Sequence, residues 1–275
     1  FQDDLTIRER ICKKCGMASP MPEEIGEGRK SITASSLMGL VPFMGGKINS
    51  GKIRFLEQDL SIDSDWNSIR GKDLAMISQD PMTALNPLLG IGSQISEVMQ
   101  VHKGISKKEA RDKSEKLMQT LGLESPHLLY SKRPYELSGG MRQRVVVAMA
   151  LAADPKLLIA DEPTTALDVT VQSQMLTLLQ KIQKERSLGL IFISHDIPVI
   201  LEMADEILVM YRGRVLEYGP AHLVFKNPLH AYTKHLLSQI PDPFVSSLPE
   251  TNSWDSIQVD KQTLTQAKDG RWIRN

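Results

Sequence analysis

Leu157-Leu158-Ile159-Ala160 is an uninterrupted apolar run that ends in two carboxylates, Asp161 and Glu162. Such a run reads as a strand covered on both faces, and open α/β sheets gather ligands at the carboxyl ends of their strands. A carboxylate placed there can hold Mg²⁺, which takes few protein ligands beside water and substrate phosphates. Asp161 fits that role. Glu162 points differently along the extended chain and is the candidate base that polarises a water for attack on a γ-phosphate. The plainer reading is that the acidic pair caps the next helix, and alone it is a weak signal.

Ser138-Gly139-Gly140 opens a second candidate. Two glycines at a helix start leave backbone N–H groups exposed at the positive end of the dipole, where a phosphate can bind. The plainer alternative is an ordinary N-cap by Ser138. His195 follows the run Leu190–Ser194, again at a carboxyl-terminal strand edge, where an imidazole can meet the γ-phosphate or the attacking water. A solitary histidine is usually structural. The order matters more than any one residue: glycine-led helix, acidic strand end, Asp168, then strand and histidine, all within one short stretch.

The elements that must position these residues follow from periodicity. A helix over Gly140–Ala153, a strand over Leu157–Ala160, a helix over Val169–Lys184, a strand over Gly189–Ser194, a helix over Ile197–Ala204 and a strand over Glu206–Tyr211 alternate, which predicts a parallel α/β sheet. The strands at Leu157 and Leu190 lack polar interruption and are expected mid-sheet. Upstream, Ser31–Leu40 reads as a helix, Gly51–Leu56 and Asp73–Ser78 as strands, and Asp80-Pro81 with Asn86-Pro87 as a loop. Apolar positions at helical spacing from Ile91 to Leu123 (Ile95, Val98, Met99, Ala110, Leu117, Leu121) predict an inserted helical subdomain. A helix is expected around Pro228–Ile240, and beyond Pro241-Asp242-Pro243 a polar, loosely ordered tail.

Composition narrows the function. Lys and Arg total 33 and Asp and Glu total 33, so no polyanionic partner is implied and nucleic acid is excluded as an expectation. The longest apolar stretches fall short of the roughly 20 residues of a bilayer-spanning helix. The opening Phe1-Gln2-Asp3-Asp4 has neither a basic start nor an apolar signal core, so the expected location is cytosolic. Cys12 and Cys15 form one C-x-x-C with no further nearby ligands, and two free thiols are the expectation.

Leu137-Ser-Gly-Gly-Met-Arg-Gln-Arg144 resembles the signature of ABC transporter ATPases, and Leu158–Glu162 resembles their Walker B motif. Ala166-Leu167-Asp168 is similar to the D-loop, His195 to the switch histidine and Gln79 to the Q-loop glutamine, all in family order. The resemblance implies a P-loop NTPase-type parallel core with an inserted helical subdomain (about 91–140), a nucleotide-binding domain over 31–240 and a carboxyl-terminal extension, the tail being 241–275. It implies ATP and Mg²⁺ as cofactors. Glu162, His195 and Gln79 would be catalytic. Gly28, Lys30, Ser31, Ser138, Gly139, Gly140, Gln143 and Asp168 would bind nucleotide, and Ser31, Gln79 and Asp161 would serve Mg²⁺. Two such subunits face each other head to tail, so the signature of one covers the ATP of the other. The partners implied are therefore a second ATPase subunit, transmembrane permease subunits and, indirectly, a solute-binding protein, at the cytoplasmic face of the membrane. Gln79–Pro87 and Asn227–Pro241 resemble the dipeptide, oligopeptide and nickel importer branch, and the latter otherwise reads as a docking helix or as simple domain closure.

One motif departs from that family. A P-loop needs G-x-x-x-x-G-K-[ST], whose glycines let successive N–H groups surround a phosphate. This chain has Gly26-Glu27-Gly28-Arg29-Lys30-Ser31, two residues short and with Arg29 in place of the glycine before the lysine. Residues 1–30 read as an irregular segment in place of the first strands. A degenerate site beside a competent partner, a local frameshift and a non-hydrolysing module are the competing explanations. The abrupt boundary at Lys30-Ser31 fits the frameshift, and the neighbouring frames of the coding DNA should then encode a full P-loop. An ABC-type ATPase of DNA repair or translation would need a long coiled-coil insertion or tandem domains, and neither is present in the sequence.

Overall fold

A computed structural model describes residues 30–61, 64–165, 167–239 and 263–274. Gly28, Cys12, Cys15 and the irregular segment ahead of Lys30 lie outside the described residues. The chain divides into two compact units. Of the described residues, one unit contains Ala34–Lys47 and Lys52–Ile193, the other residues 30–33, Ile48–Gly51 and those from Ser194 onward.

Helix α1 (Lys30–Leu37) buries Ala34 to Leu37 in its second half, the part that belongs to the first unit. A hairpin of β1 (Ile53–Phe55) and β2 (Gln58–Leu60) follows. Its two-residue turn, Leu56-Glu57, has positive φ at both positions, as the right-handed twist of the flanking strands demands. A single helical turn, α2 (Trp66–Ile69), leads to β3 (Leu74–Ile77). The sheet that carries the candidate chemistry has the order β3, β4 (Leu157–Asp161), β5 (Gly189–Ile193), all parallel. Every residue of β4 is buried, as expected for a central strand covered on both faces.

β5 departs from expectation. It lies at the edge of this sheet among the described residues, and Leu190 to Ile193 are half-buried instead of enclosed. An apolar run is compatible with burial, but it fixes neither how many neighbours share its hydrogen bonds nor how fully its faces are covered.

After β3 comes one turn, α3 (Pro81–Ala84), and then the helical insertion: α4 (Ile91–Lys103), α5 (Lys107–Thr120), α6 (Pro126–Leu129) and a 3₁₀ turn at Pro134–Glu136. Ile91, Ile95 and Met99 of α4 are buried, as are Ala110, Leu117 and Met118 of α5. Val98 is only half-buried. Ser106 caps α5 by accepting from the Glu109 N–H. Helices α7 (Gly139–Leu151) and α8 (Val169–Arg186) flank β4 in sequence.

The second unit holds α9 (Ile197–Met203), β6 (Glu206–Tyr211), β7 (Arg214–Pro220), α10 (Ala221–Lys226), α11 (Ala231–Ser238), β8 (Leu264–Gln266) and β9 (Trp272–Arg274). Here two expectations are corrected. β6 does not continue a parallel sheet but pairs antiparallel with β7. The cause is the Arg212-Gly213 turn, in which both residues have positive φ. Two residues can reverse a chain into a hairpin, whereas a parallel neighbour needs a crossover of a dozen or more. The expected loose tail is ordered at its end, where β8 and β9 complete a four-stranded sheet of order β6, β7, β9, β8.

A buried ion pair explains that docking. Arg271 and Glu217 have side-chain exposures of 1% and 0%, with Nη1 3.4 Å from Oε1. The Arg271 Nη1 also donates to the carbonyls of Leu223 (3.0 Å) and Asn227 (2.6 Å). The two Glu217 oxygens accept from the backbone N–H groups of Leu229 and His230, each at 3.0 Å. Among the described residues no helix is long and apolar enough to cross a membrane.

Candidate active site

The register of the parallel sheet places the acidic strand end. Ile77 of β3 pairs with Ala160 of β4, so Gln79 and Glu162 each lie two residues past that rung. Their side chains meet there: Gln79 Nε2 donates to Glu162 Oε2 at 3.0 Å across 83 residues of sequence. Thr165 Oγ1 donates to the same carboxylate oxygen at 3.1 Å. Asp161, one residue earlier, still belongs to β4 and is 4% exposed.

Glu162 takes φ +48°, a left-handed conformation unfavourable for a side chain with a Cβ. Two backbone bonds hold it: its N–H donates to the Ile193 carbonyl at 2.9 Å, and its own carbonyl accepts from Thr165 N–H at 3.3 Å. This turn separates the two acids, leaving Asp161 in the strand and carrying Glu162 towards Gln79. Strained backbone of this kind is retained where surrounding contacts over-determine it.

The loop that carries Gln79 is fastened farther along by Gln94, a buried amide on α4. Its Oε1 accepts from Asn86 N–H at 2.8 Å, while Nε2 donates to the carbonyls of Asn86 (3.0 Å) and Leu89 (3.1 Å). Neither Gln94 nor Thr165 was among the residues expected from sequence. For Gln94 the available signal is a polar residue on the apolar face of an amphipathic helix.

Ser138 is the N-cap of α7, its hydroxyl accepting from Met141 N–H at 3.3 Å, and Ser138 and Gly139 are exposed. The Arg142 guanidinium donates to the Leu137 carbonyl at 3.0 Å and so ties down the loop ahead of that cap. Gln143 departs from its expected nucleotide contact. It is 2% exposed, and its Nε2 has no hydrogen-bond partner among the described residues. Gln143 lies one turn beyond Gly139 on the same side of α7, so its burial reflects the packing over that turn and not a change of helix face. Asp168 is exposed and caps α8, its Oδ1 accepting from Val171 N–H at 2.9 Å.

The remaining expected residues belong to the second unit. Lys30 and Ser31 start α1, and Lys30 Nζ donates to the Ser194 carbonyl at 2.8 Å. His195 follows Ser194 directly and is exposed, and the Ser194 hydroxyl accepts from Asp196 N–H at 2.9 Å. The first unit therefore brings together Gln79 and Glu162, and the second brings Lys30 to the residue that precedes His195.

Comparison with known proteins gives a consistent result. The ABC transporter family model matches residues 26–165. The oligopeptide transport ATP-binding protein AppD of Bacillus subtilis is 48% identical over 220 residues, covering 79% of this chain and 67% of its own length. For OppD, an oligopeptide transport ATP-binding protein of the same organism, identity is 46%, with 79% of this chain and 61% of the relative covered. The dipeptide transport ATP-binding protein DppD, also from Bacillus subtilis, is 46% identical over 77% of this chain and 64% of its own. The chain thus spans about two thirds of the length of these relatives.

Among solved structures, cbiO1 from Clostridium perfringens, part of the ABC transporter complex cbiONQ, superposes with a TM-score of 0.61 at 28% identity, covering 72% of this chain and 75% of that one. The ATP-binding cassette MJ0796, a dimer in a post-hydrolysis state with ADP and Pi, gives 0.59 at 26% identity over 70% of this chain and 82% of that one.

Proposed function

The chain belongs to the ABC transporter family of ATP-binding proteins, and from that premise we propose that it is the ATP-hydrolysing subunit that drives import of oligopeptides or dipeptides. The observation that carries this reading is the Gln79–Glu162 contact at the carboxyl ends of two adjacent parallel strands. In the proposed reaction Glu162 accepts a proton from water as the water oxygen bonds to the γ-phosphorus and the bond to the ADP oxygen breaks. Gln79 and Thr165 orient its carboxylate.

Asp161 and Gln79 both bear oxygen donors, the ligand type that Mg²⁺ prefers, and Asp161 is a buried carboxylate at a strand end. These residues would hold the ion, which when bound neutralises phosphate charge. Lys30 would engage the phosphates, and Ser138 and Gly139 would face the nucleotide of a second ATPase subunit. Permease subunits at the cytoplasmic face of the membrane, served by a solute-binding protein, complete the proposed assembly. The relatives' names favour peptide over nickel as the imported solute.

The shortened Gly26–Ser31 loop supports a second reading, a non-hydrolysing subunit that keeps the fold and dimer surface. Nucleotide binding separates the two. For an ATPase subunit, removing the ammonium in Lys30→Ala is expected to weaken ATP binding by about tenfold or more, since charge-assisted hydrogen bonds to phosphate contribute roughly 1.5–3 kcal/mol. Calorimetric titration of the purified chain measures this, and equally poor binding by wild type and variant would establish the non-hydrolysing reading.

A further inference from the structure

Two glycines open α7, and they differ in surroundings. A Cβ at Gly139 would meet nothing within 4 Å, whereas a Cβ at Gly140 would lie 2.8 Å from Cγ1 of Val171. Val171 stands in the first turn of α8, and its N–H is the donor that Asp168 caps. About one turn farther along both helices, Arg144 Nη2 donates to Gln174 Oε1 at 3.1 Å, and Arg144 Nη1 donates to the Leu121 carbonyl at 2.6 Å at the end of α5. Helices α7 and α8 are thus joined at two levels, one a close apolar contact and one a charge-assisted hydrogen bond. A β-branched side chain is stiff about χ1, so Val171 cannot simply swing away from an added methyl group.

We propose that Val171 is a positioning residue for the Ser138–Gly140 turn. Helix α8, capped by Asp168, sets the direction of the N–H groups that this turn presents through the two attachments at Val171 and Gln174. The second glycine is required by the approach of α8, not by the approach of a nucleotide. This deepens the ATPase reading and rests on it, since there the turn faces phosphate.

A cycle of four full-length proteins tests the proposal: wild type, Gly140→Ala, Val171→Ala and the double variant, compared for kcat and KM of ATP hydrolysis and for melting midpoint. Gly140→Ala is expected to lower kcat about tenfold through misplacement of the turn. Val171→Ala removes the methyls that the new Cβ strikes, so the double variant should recover to within about threefold of Val171→Ala alone. Recovery of kcat when melting midpoints are matched is not produced by a merely structural role. A double variant as slow as Gly140→Ala, or a Gly140→Ala protein as fast as wild type, overturns the proposal. Should wild type hydrolyse no ATP, the ATPase reading falls. The melting midpoints then decide the packing claim, with additive losses overturning it and rescue in the double variant supporting it.

Discussion

Glu162→Gln is expected to slow ATP hydrolysis by a factor of about 10²–10⁴, the range lost when a positioned general base is removed. ATP should still bind. The substitution isolates the proton transfer because the amide oxygen of glutamine can accept the same hydrogen bonds from Gln79 Nε2 and Thr165 Oγ1. The backbone bonds that hold position 162 at positive φ are made by main-chain atoms and are unaffected. Single-turnover phosphate release, measured beside nucleotide affinity, separates chemistry from binding. A variant that releases phosphate at the wild-type rate would remove Glu162 from the reaction and leave Gln79 and His195 to be examined in its place.

The second large effect concerns stability. Arg271→Ala should destabilise the second unit by about 3–5 kcal/mol, because breaking a buried pair from one side leaves the other charge uncompensated. Glu217 would keep its two backbone donors, Leu229 and His230, but lose the guanidinium. The carbonyls of Leu223 and Asn227 would lose their donor as well. Replacing both charges, as Glu217→Gln with Arg271→Met, should cost less than the single change. Hydrogen exchange at the amides of Leu229 and His230 reads this locally, and unchanged protection in Arg271→Ala would refute the role assigned to the pair.

The same arginine gives a pH signature. Its hydrogen bond to Asp269 holds that carboxyl below its ordinary value. A carboxylate lowered on folding contributes stability above its unfolded pKa and loses it as pH falls through the folded value. In Arg271→Ala that acid-side loss should be reduced.

Much of the fold was legible along the chain because its causes are local. Ser138, the N-cap expected from sequence, is followed by a helix whose N–H it caps, and the apolar period of Ile91–Thr120 matches the buried faces of α4 and α5. The central strand could be read from Leu157–Ala160, since a strand without polar interruption must be covered on both sides. The hairpin of β6 and β7 is not legible in the same way, because its turn residues, Arg212 and Gly213, are only half of the usual Asn-Gly signal.

For the candidate site, sequence by itself determined the residue types at the strand ends, the caps and their order, and these sufficed for the family. The tertiary structure alone decided that Gln79 and Thr165 share one oxygen of Glu162. It also buried Gln143 and closed Arg271 upon Glu217. The physical reason is the range of the interactions. Caps, turns and periodicity are energies between near neighbours in the chain. A strand register that aligns residue 79 with residue 162, and a charge pair buried between residues 217 and 271, exist only when distant segments pack.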